Sequence, residues 1–495
     1  MTTPTNSSSG LGNRNAELPQ EQWVENPETG AKVVKVGDME FPKRKVWMHT
    51  FGCQMNYHDT ERVLSHLENL NFEQTKDQQE ADLILFNTCA IRDLSNQKFY
   101  SKLGDTKHIK KKNPDVKIGV GGCVAQTEGK ELVKKYKHLD FSFGTDVIDT
   151  INELVYRSYA GEDPFAINTW DRSQNFSIET KITNGSPQAF VNIIKGCNKC
   201  CSYCIVPFTR GKEKSRLQKE VVEDVRRLVE YQGVQEVTLL GQNVNSYGKD
   251  NGESLAGLIT ELDQINGLEL IRYTTSHPYD VTDELVQVHG EAKKLSRHLH
   301  LPVQSGSNTV LQRMLREYTV DHYMGLVEKL RKAKPDIVLS TDIIAGFVNE
   351  TEEEHQATLD LLDRAQYDFI YSYAYSQRNK TRASRWEDSL TDDIRGARLR
   401  EIQAYQAKIQ EKIRKELVGQ TFTVLVDGHG FMGGEKKWKG RTNCMRIVHF
   451  LPEHQEHDLQ WHWVEVEVTA ATAFSCQGKL KKVWGRRMPE QASRY

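Results

Sequence analysis

Four of the nine cysteines fall within residues 197–204 of the stretch GCNKCCSYC: Cys197, Cys200, Cys201 and Cys204. Thiols at that density, in a chain otherwise poor in cysteine, point to metal. Read as two CxxC pairs they suggest a four-cysteine zinc knuckle. Knuckle pairs, however, are normally separated by a dozen or more residues so that the chain can fold back around the ion, and here the pairs abut. Neighbouring side chains such as Cys200 and Cys201 generally point different ways, so closing all four on one ion would strain the loop. The ferredoxin spacing CxxCxxC also fails, because steps of three from Cys197 reach Cys200 and then Tyr203. The spacing that remains is CxxxCxxC, through Cys197, Cys201 and Cys204.

A second set of thiols is scattered in sequence. Cys53, Cys89 and Cys123 stand in FGC, NTC and GGC, each at the carboxyl end of an apolar stretch that reads as a strand: KVWMHTFGC, ADLILFNTC and VKIGVGGC. In a parallel sheet such ends share one edge, where loops converge and helix N-termini point into the crevice. A free cysteine is often a small buried apolar residue, but three at equivalent strand ends favour a shared site. Three thiolates could hold an iron–sulfur cluster with one iron open, or a zinc ion with a fourth ligand.

The elements that must position these residues divide the 495-residue chain into several domains. Residues 1–43 are rich in Ser, Thr, Asn, Pro, Glu and Gln without an apolar period, which predicts a disordered extension. Residues 44–160 alternate apolar strands with amphipathic stretches at 58–70, 93–112 and 126–138, predicting an N-terminal α/β domain on a parallel sheet. A polar segment, 161–186, reads as a linker. Across 187–416 six strand candidates alternate with helical patterns: FVNIIKGC, VQEVTLLGQN, LELIRYTTSHP, HLHLPVQSG, DIVLSTDIIAGF and YDFIYSYAYSQR. Six β/α units predict an incomplete (β/α)6 barrel. Residues 418–487 turn to short alternating strands with Gly turns, predicting a small OB-like β-barrel.

Composition narrows the class. The net charge of −2 argues against a globally basic nucleic-acid binder, yet basic residues bunch at 107–117, 209–219, 436–441 and 479–487, with tryptophans in the last two runs. That pattern suits phosphate contacts. No apolar run approaches the roughly 18 residues of a membrane span, and the start has no signal-peptide order, so a cytoplasmic protein is expected. The barrel strands end in polar residues: Gln242 and Asn243, Ser276 and His277, Gln304 and Ser305, Ser376 and Arg378. Together they predict a polar ligand at the barrel mouth.

CxxxCxYC after the first of six barrel strands resembles the radical S-adenosylmethionine enzymes. The larger set resembles the methylthiotransferase family within them, in its tRNA 2-methylthio-N6-dimethylallyladenosine synthase branch. MHTFGCQMN, NTCAIRDLSNQK, GVGGCVAQ, GCNKCCSYCIVPFTRG, TSHP, HLPVQSGS and TDIIAGF carry that likeness in order, and GRTNCMRIVHF resembles the family's terminal TRAM barrel. The resemblance implies two 4Fe-4S clusters, a radical cluster on Cys197, Cys201 and Cys204 and an auxiliary one on Cys53, Cys89 and Cys123. S-adenosyl-L-methionine would bind the open iron of the first and be cleaved to a radical. It implies addition of a methylthio group to carbon 2 of isopentenylated adenosine beside the tRNA anticodon, with flavodoxin or ferredoxin as electron donor. Lys436, Lys437, Trp438, Lys439 and Arg441 would grip the anticodon stem-loop, and nothing requires more than a monomer.

Departures from the family pattern are Cys200, Val348 and Asn349 in place of Pro-Gly, and Lys380 in place of Gly. Two other readings stand beside this one: methylthiolation of an aspartate on a ribosomal protein, which NTCAIRD, GGCVAQ and the basic terminal barrel oppose, and a non-catalytic metal-bound RNA-binding protein.

Overall fold

The computed structural model describes residues 21–25, 32–91, 93–170, 186–451 and 458–486. The chain divides into two compact units: residues up to 52 with 59–170, and residues 53–58 with the chain from 171 onward. Among the described residues no helix is long and apolar enough to cross a membrane.

The first unit opens with a small antiparallel sheet, β1 (Glu21–Glu25), β2 (Lys32–Val36) and β3 (Met39–Phe41). This corrects the expectation of a disordered extension over 1–43, of which 1–20 and 26–31 lie outside the described residues. Val34, Val36 and Phe41 are fully buried and join the core of the following sheet, so a short apolar cluster outweighs the polar composition around it. That six-stranded parallel sheet has the order β5-β4-β6-β7-β8-β9. Its members are β4 (Arg44–Thr50), β5 (Phe72–Gln74), β6 (Leu83–Thr88), β7 (Lys117–Gly122), β8 (Phe141–Phe143) and β9 (Phe165–Ile167). The last strand lies inside the segment read as linker. Phe165, Ala166 and Ile167 pair with Phe141, Ser142 and Phe143, and a row of phenylalanines closes over the sheet edge. Residues 171–185 of that segment lie outside the described residues. The helices are α1 (Gln54–Glu68), α2 (Asp93–Lys112), α3 (Cys123–Lys135) and α4 (Ile151–Tyr159).

In the second unit all six barrel strands form: β10 (Gln188–Asn192), β13 (Glu236–Leu240), β14 (Leu270–Tyr273), β15 (His298–His300), β16 (Val338–Ala345) and β17 (Phe369–Ala374). A two-stranded ribbon, β11 (Ile194–Lys195) with β12 (Lys214–Ser215), flanks the thiol loop. The parallel ladder is not continuous. It runs as two three-stranded sheets, β10-β13-β14 and β15-β16-β17, joined among the described residues around Ile271, whose backbone bonds to Lys294 and Ser296. The helices between and after the strands are α5 (Val206–Thr209), α6 (Gln218–Gln232), α7 (Leu255–Leu262), α8 (Asp283–Glu291), α9 (Asn308–Arg313), α10 (Val320–Ala333), α11 (Glu352–Ala365) and α12 (Asp392–Lys415). From α7 to α12 each opens on a Ser or Thr whose hydroxyl accepts a backbone N–H, a cap contributing about 1 kcal/mol.

The chain ends in a closed five-stranded barrel of order β18-β19-β20-β22-β21. Its strands are β18 (Thr421–Met432), β19 (Glu435–Thr442), β20 (Ile447–Leu451), β21 (Trp463–Ala471) and β22 (Cys476–Gly485). It is fastened to the amino ends of the large-barrel strands. Asp368, just before β17, receives Arg446 Nη2 at 2.7 Å from the small barrel and pairs with Arg414 Nη2 of α12 at 2.6 Å. Ser296 Oγ and Arg297 N, just before β15, donate to Asn443, and Trp463 Nε1 donates to Gln235, just before β13. Arg272 donates to the carbonyls of Thr442 and Asn443.

Candidate active site

The thiol loop follows β10 and β11 and is held by backbone before any ligand is considered. Gly196 has φ 75°, and a Cβ there would stand 2.0 Å from the carbonyl oxygen of Lys212. Only glycine fits that approach. Gly196 N donates to Gln242 Oε1, Cys197 N to the Gly211 carbonyl at 3.0 Å, and Cys204 N to the Cys201 carbonyl at 3.0 Å. Ser202 N and Oγ donate to the carbonyls of Met314 and Arg313, while Ala383 N donates to the Ser202 carbonyl.

The four thiols part three to one. Burial pushes Cys197 and Cys204 up to about 12; Cys201 adds to the rise at both, and Cys197 adds to it at Cys204. Cys200 is exposed, and its thiol donates to the Asn198 carbonyl at 3.8 Å. Among the described residues no three His, Cys, Asp or Glu side chains are set to grip one metal ion. A cubane asks for something else, since each thiolate binds its own iron. Three mutually interacting, half-buried thiols on a braced loop fit that demand.

The predicted ligand residues divide by what already satisfies them. Gln242 is committed to Gly196, and Ser305 Oγ accepts from Ser307 N and lies 3.4 Å from Thr358 Oγ1, so both build the site. Gln304, at φ 77°, bridges to β16 through its backbone. Arg378 donates to Ser376 Oγ at 3.2 Å. By contrast Asn243 Oδ1, Ser276 Oγ and His277 Nε2 are buried without a hydrogen-bond partner. Buried polar atoms left this way have bonding capacity that a ligand at the barrel mouth can complete. His277 is held neutral, its pKa lowered to about 2 chiefly by burial and then by Arg316 and Lys199. Its Nδ1 accepts from Tyr279 N, which leaves the proton on Nε2. The orphan is therefore a donor, whereas Asn243 Oδ1 is an acceptor, and a ribose or the amino acid end of S-adenosylmethionine offers partners of both kinds.

Three residues at this edge carried no signal in the sequence reading. Asp280 is buried and accepts from Asn243 Nδ2 at 2.7 Å and Lys249 Nζ at 2.6 Å, and it lies 3.2 Å from Lys199 Nζ. Lys199, between Cys197 and Cys200, also reaches Glu317 at 2.8 Å and lies over the Tyr279 ring. The cluster loop is thereby tied to the Ser276–His277 segment. Arg316 is buried and donates to Cys201 Sγ at 3.4 Å. Lys199 was legible in principle, since it sits inside the motif; Asp280 and Arg316 lie far from it in sequence.

In the first unit β4, β6 and β7 are neighbours and end at one edge. Cys89 follows β6 directly, Cys123 opens α3 directly after β7, and Cys53 stands three residues past β4, in the 53–58 segment. Cys89 and Cys123 are buried. Thr88 Oγ1 donates to the Gly121 carbonyl at 2.6 Å and accepts from Val124 N at 3.2 Å, which ties the two strand ends together. Gly122 has φ 92°, and a Cβ there would lie 2.4 Å from Asn87 Oδ1.

Residues 45–144 match the Uncharacterized protein family UPF0004, and residues 191–362 match the Radical SAM superfamily. The tRNA-2-methylthio-N(6)-dimethylallyladenosine synthase of Bdellovibrio bacteriovorus is 41% identical over 443 residues, 88% of this chain and 95% of that protein. The protein of the same name from Carboxydothermus hydrogenoformans is 38% identical over 449 residues, 88% of this chain and 99% of that protein. The chain belongs to this methylthiotransferase family. As a member it is a radical S-adenosylmethionine enzyme, a transferase that works with an iron–sulfur cluster and S-adenosylmethionine. Among solved structures, the radical S-adenosylmethionine methyltransferase TsrM of Kitasatospora setae, with cobalamin and a 4Fe-4S cluster bound, superposes with a TM-score of 0.53 at 13% identity. It covers 69% of this chain and 74% of its own, a likeness of fold.

Two of the departures noted in the sequence stand in left-handed backbone: Asn349 has φ 54° and Lys380 φ 75°. Asn tolerates that region, and Asn349 is further held by Glu387 and Ser389. Val348 is buried with Phe347 and Tyr375. On the small barrel, Lys436 is exposed and Trp438 stacks on His429 with centroids 3.8 Å apart. Lys439 and Arg441 both pair with Asp427, at 3.3 and 3.2 Å. Lys437 is different: its side chain is 7% exposed and its ammonium lies 3.5 Å from Glu435, so it supports the strand from beneath.

Proposed function

We propose that this chain attaches a methylthio group to carbon 2 of N6-isopentenyladenosine beside the anticodon of tRNA. The observation that carries the reading is the three-to-one division of the thiol loop at the barrel's ligand-binding edge, in a member of this family. Cys197, Cys201 and Cys204 hold the radical 4Fe-4S cluster, which with S-adenosylmethionine supplies a hydrogen-abstracting radical when bound. An aromatic C–H bond is too strong and too weakly acidic for acid–base attack, so radical chemistry is what the substrate requires.

The chain's own residues then do the positioning. Asn243, Ser276 and His277 bind S-adenosylmethionine through their three unpartnered atoms. Gln242 fixes the backbone at Gly196, and Asp280 with Lys199 keeps the loop against the ligand-binding segment. Cys53, Cys89 and Cys123 hold the auxiliary 4Fe-4S cluster. Lys436, Lys439 and Arg441 contact phosphate, and Trp438 on His429 offers a stacking face, so that a single-stranded loop can splay its base into the barrel. The protein works as a cytoplasmic monomer with a flavodoxin or ferredoxin as donor. The first domain runs from β1 to β9, within 21–170, and the two barrels occupy 186–416 and 418–486.

Mass spectrometry of tRNA nucleosides from cells with and without the protein tests the reading. Loss of the 2-methylthio adenosine is expected. Unchanged tRNA, with modification lost only from a ribosomal protein, would overturn it.

A further inference from the structure

Arg316 brings a full positive charge into the barrel beside a thiol. Its Nη1 donates to Cys201 Sγ at 3.4 Å, its Nη2 to the Pro302 carbonyl at 2.9 Å and its Nε to the Tyr318 hydroxyl at 2.9 Å. Among the described residues it has no carboxylate partner, and the neighbouring Glu317 is taken by Lys199 at 2.8 Å. A buried cation normally needs an anion, because its desolvation is costly. The chain also bends to deliver it. Leu315, directly before it, has φ 56°, a left-handed conformation that costs a branched residue on the order of 1 kcal/mol. The same turn, through the carbonyls of Arg313 and Met314, braces Ser202 between two of the thiols.

We infer that Arg316 is a positioning residue whose guanidinium is the built-in counter-charge of the radical cluster, fixing the Cys201 thiolate and easing the cluster's reduction. The inference rests on the cluster assignment proposed above. A three-thiolate cluster is anionic and becomes more so on accepting an electron, so a fixed cation hydrogen-bonded to one ligand sulfur favours the reduced form. Tyr318 and the Pro302 carbonyl hold the fork in place.

The test uses full-length protein reconstituted anaerobically with iron and sulfide, in a Cys89→Ala background so that one cluster dominates. Redox titration followed by electron paramagnetic resonance should show Arg316→Gln with about a tenfold lower reduced-to-oxidised ratio at a fixed potential, ~59 mV for one electron. Arg316→Lys should recover most of it. Arg316→Gln titrating with the parent would overturn the inference. Because Arg316→Gln could fail to fold, the unsubstituted arginine is also labelled with 15N, and pulsed resonance of the reduced cluster should detect the guanidinium nitrogen. A loaded cluster with no such coupling sinks this inference alone, whereas iron content unchanged by Cys201→Ala sinks the cluster assignment itself.

Discussion

The two thiol sets are positioned by opposite means. The barrel gathers Cys197, Cys201 and Cys204 from one loop, half-exposed, and braces that loop by contacts from far along the chain: Gln242, Asp280, the 313–316 turn and Ala383. In the N-terminal sheet Cys89 and Cys123, both buried, follow neighbouring strands whose ladder already sets where they stop. A local motif needs long-range support, and a dispersed one gets its precision from the sheet.

The sharpest way to break this comparison is to remove one thiol from each set. Cys201→Ala should abolish S-adenosylmethionine cleavage together with methylthio product, while Cys89→Ala should leave cleavage largely intact and remove the product. Release of 5′-deoxyadenosine and analysis of tRNA nucleosides report the two steps separately. Equal loss of cleavage in both variants would mean that the sets are not independent.

A smaller effect tests the glycines. Gly52, Gly122 and Gly196, at φ 112°, 92° and 75°, each precede a thiol, whereas Cys89 follows Thr88. Gly122→Ala and Gly196→Ala should each cost about 1–3 kcal/mol in denaturant unfolding. Gly196→Ala should also deplete radical-cluster iron, whereas Gly122→Ala should spare cleavage.

Much of this was legible in the sequence because it is local. The CxxxCxxC spacing, the strand ends in FGC, NTC and GGC, and the six alternating strand stretches of the barrel are short-range signals. The sheet of β1–β3 was not, since its few apolar residues become a core only against strands that follow. β9 was missed for a similar reason: three residues pair only because β8 waits beside them. Arg316 and Asp280 were invisible because their roles exist only once the barrel closes. Lys437 shows the converse, a basic run read as one surface although alternate residues of a strand face opposite ways.

Two further predictions are subtler. Burial raises the Glu61 carboxyl of α1 to about 7. An acid whose folded pKa lies above its unfolded value contributes stability that is full below about 4.5 and lost as pH rises through about 7. Glu61→Gln should flatten that dependence and stabilise the N-terminal unit at pH 8 by about 1 kcal/mol, a figure kept low because part of the carboxyl reaches solvent. Thermal unfolding across pH reads it, and an unchanged slope would contradict the assignment. The smallest effect is expected at the exposed thiol. Cys200→Ser should keep iron content and product unchanged, and loss of iron would make it a fourth ligand.

The fastening of the small barrel to Asp368, Gln235 and Arg297 turns the enzyme into a fixed calliper. One jaw, the small barrel, sits at the amino ends of the strands and the other, the thiol loop, lies at their carboxyl ends, a six-residue strand such as β17 apart, or about 20 Å. Because both ends are built on the same strands, their separation is set by strand length, as on a ruler, and cannot change without unpairing the sheet.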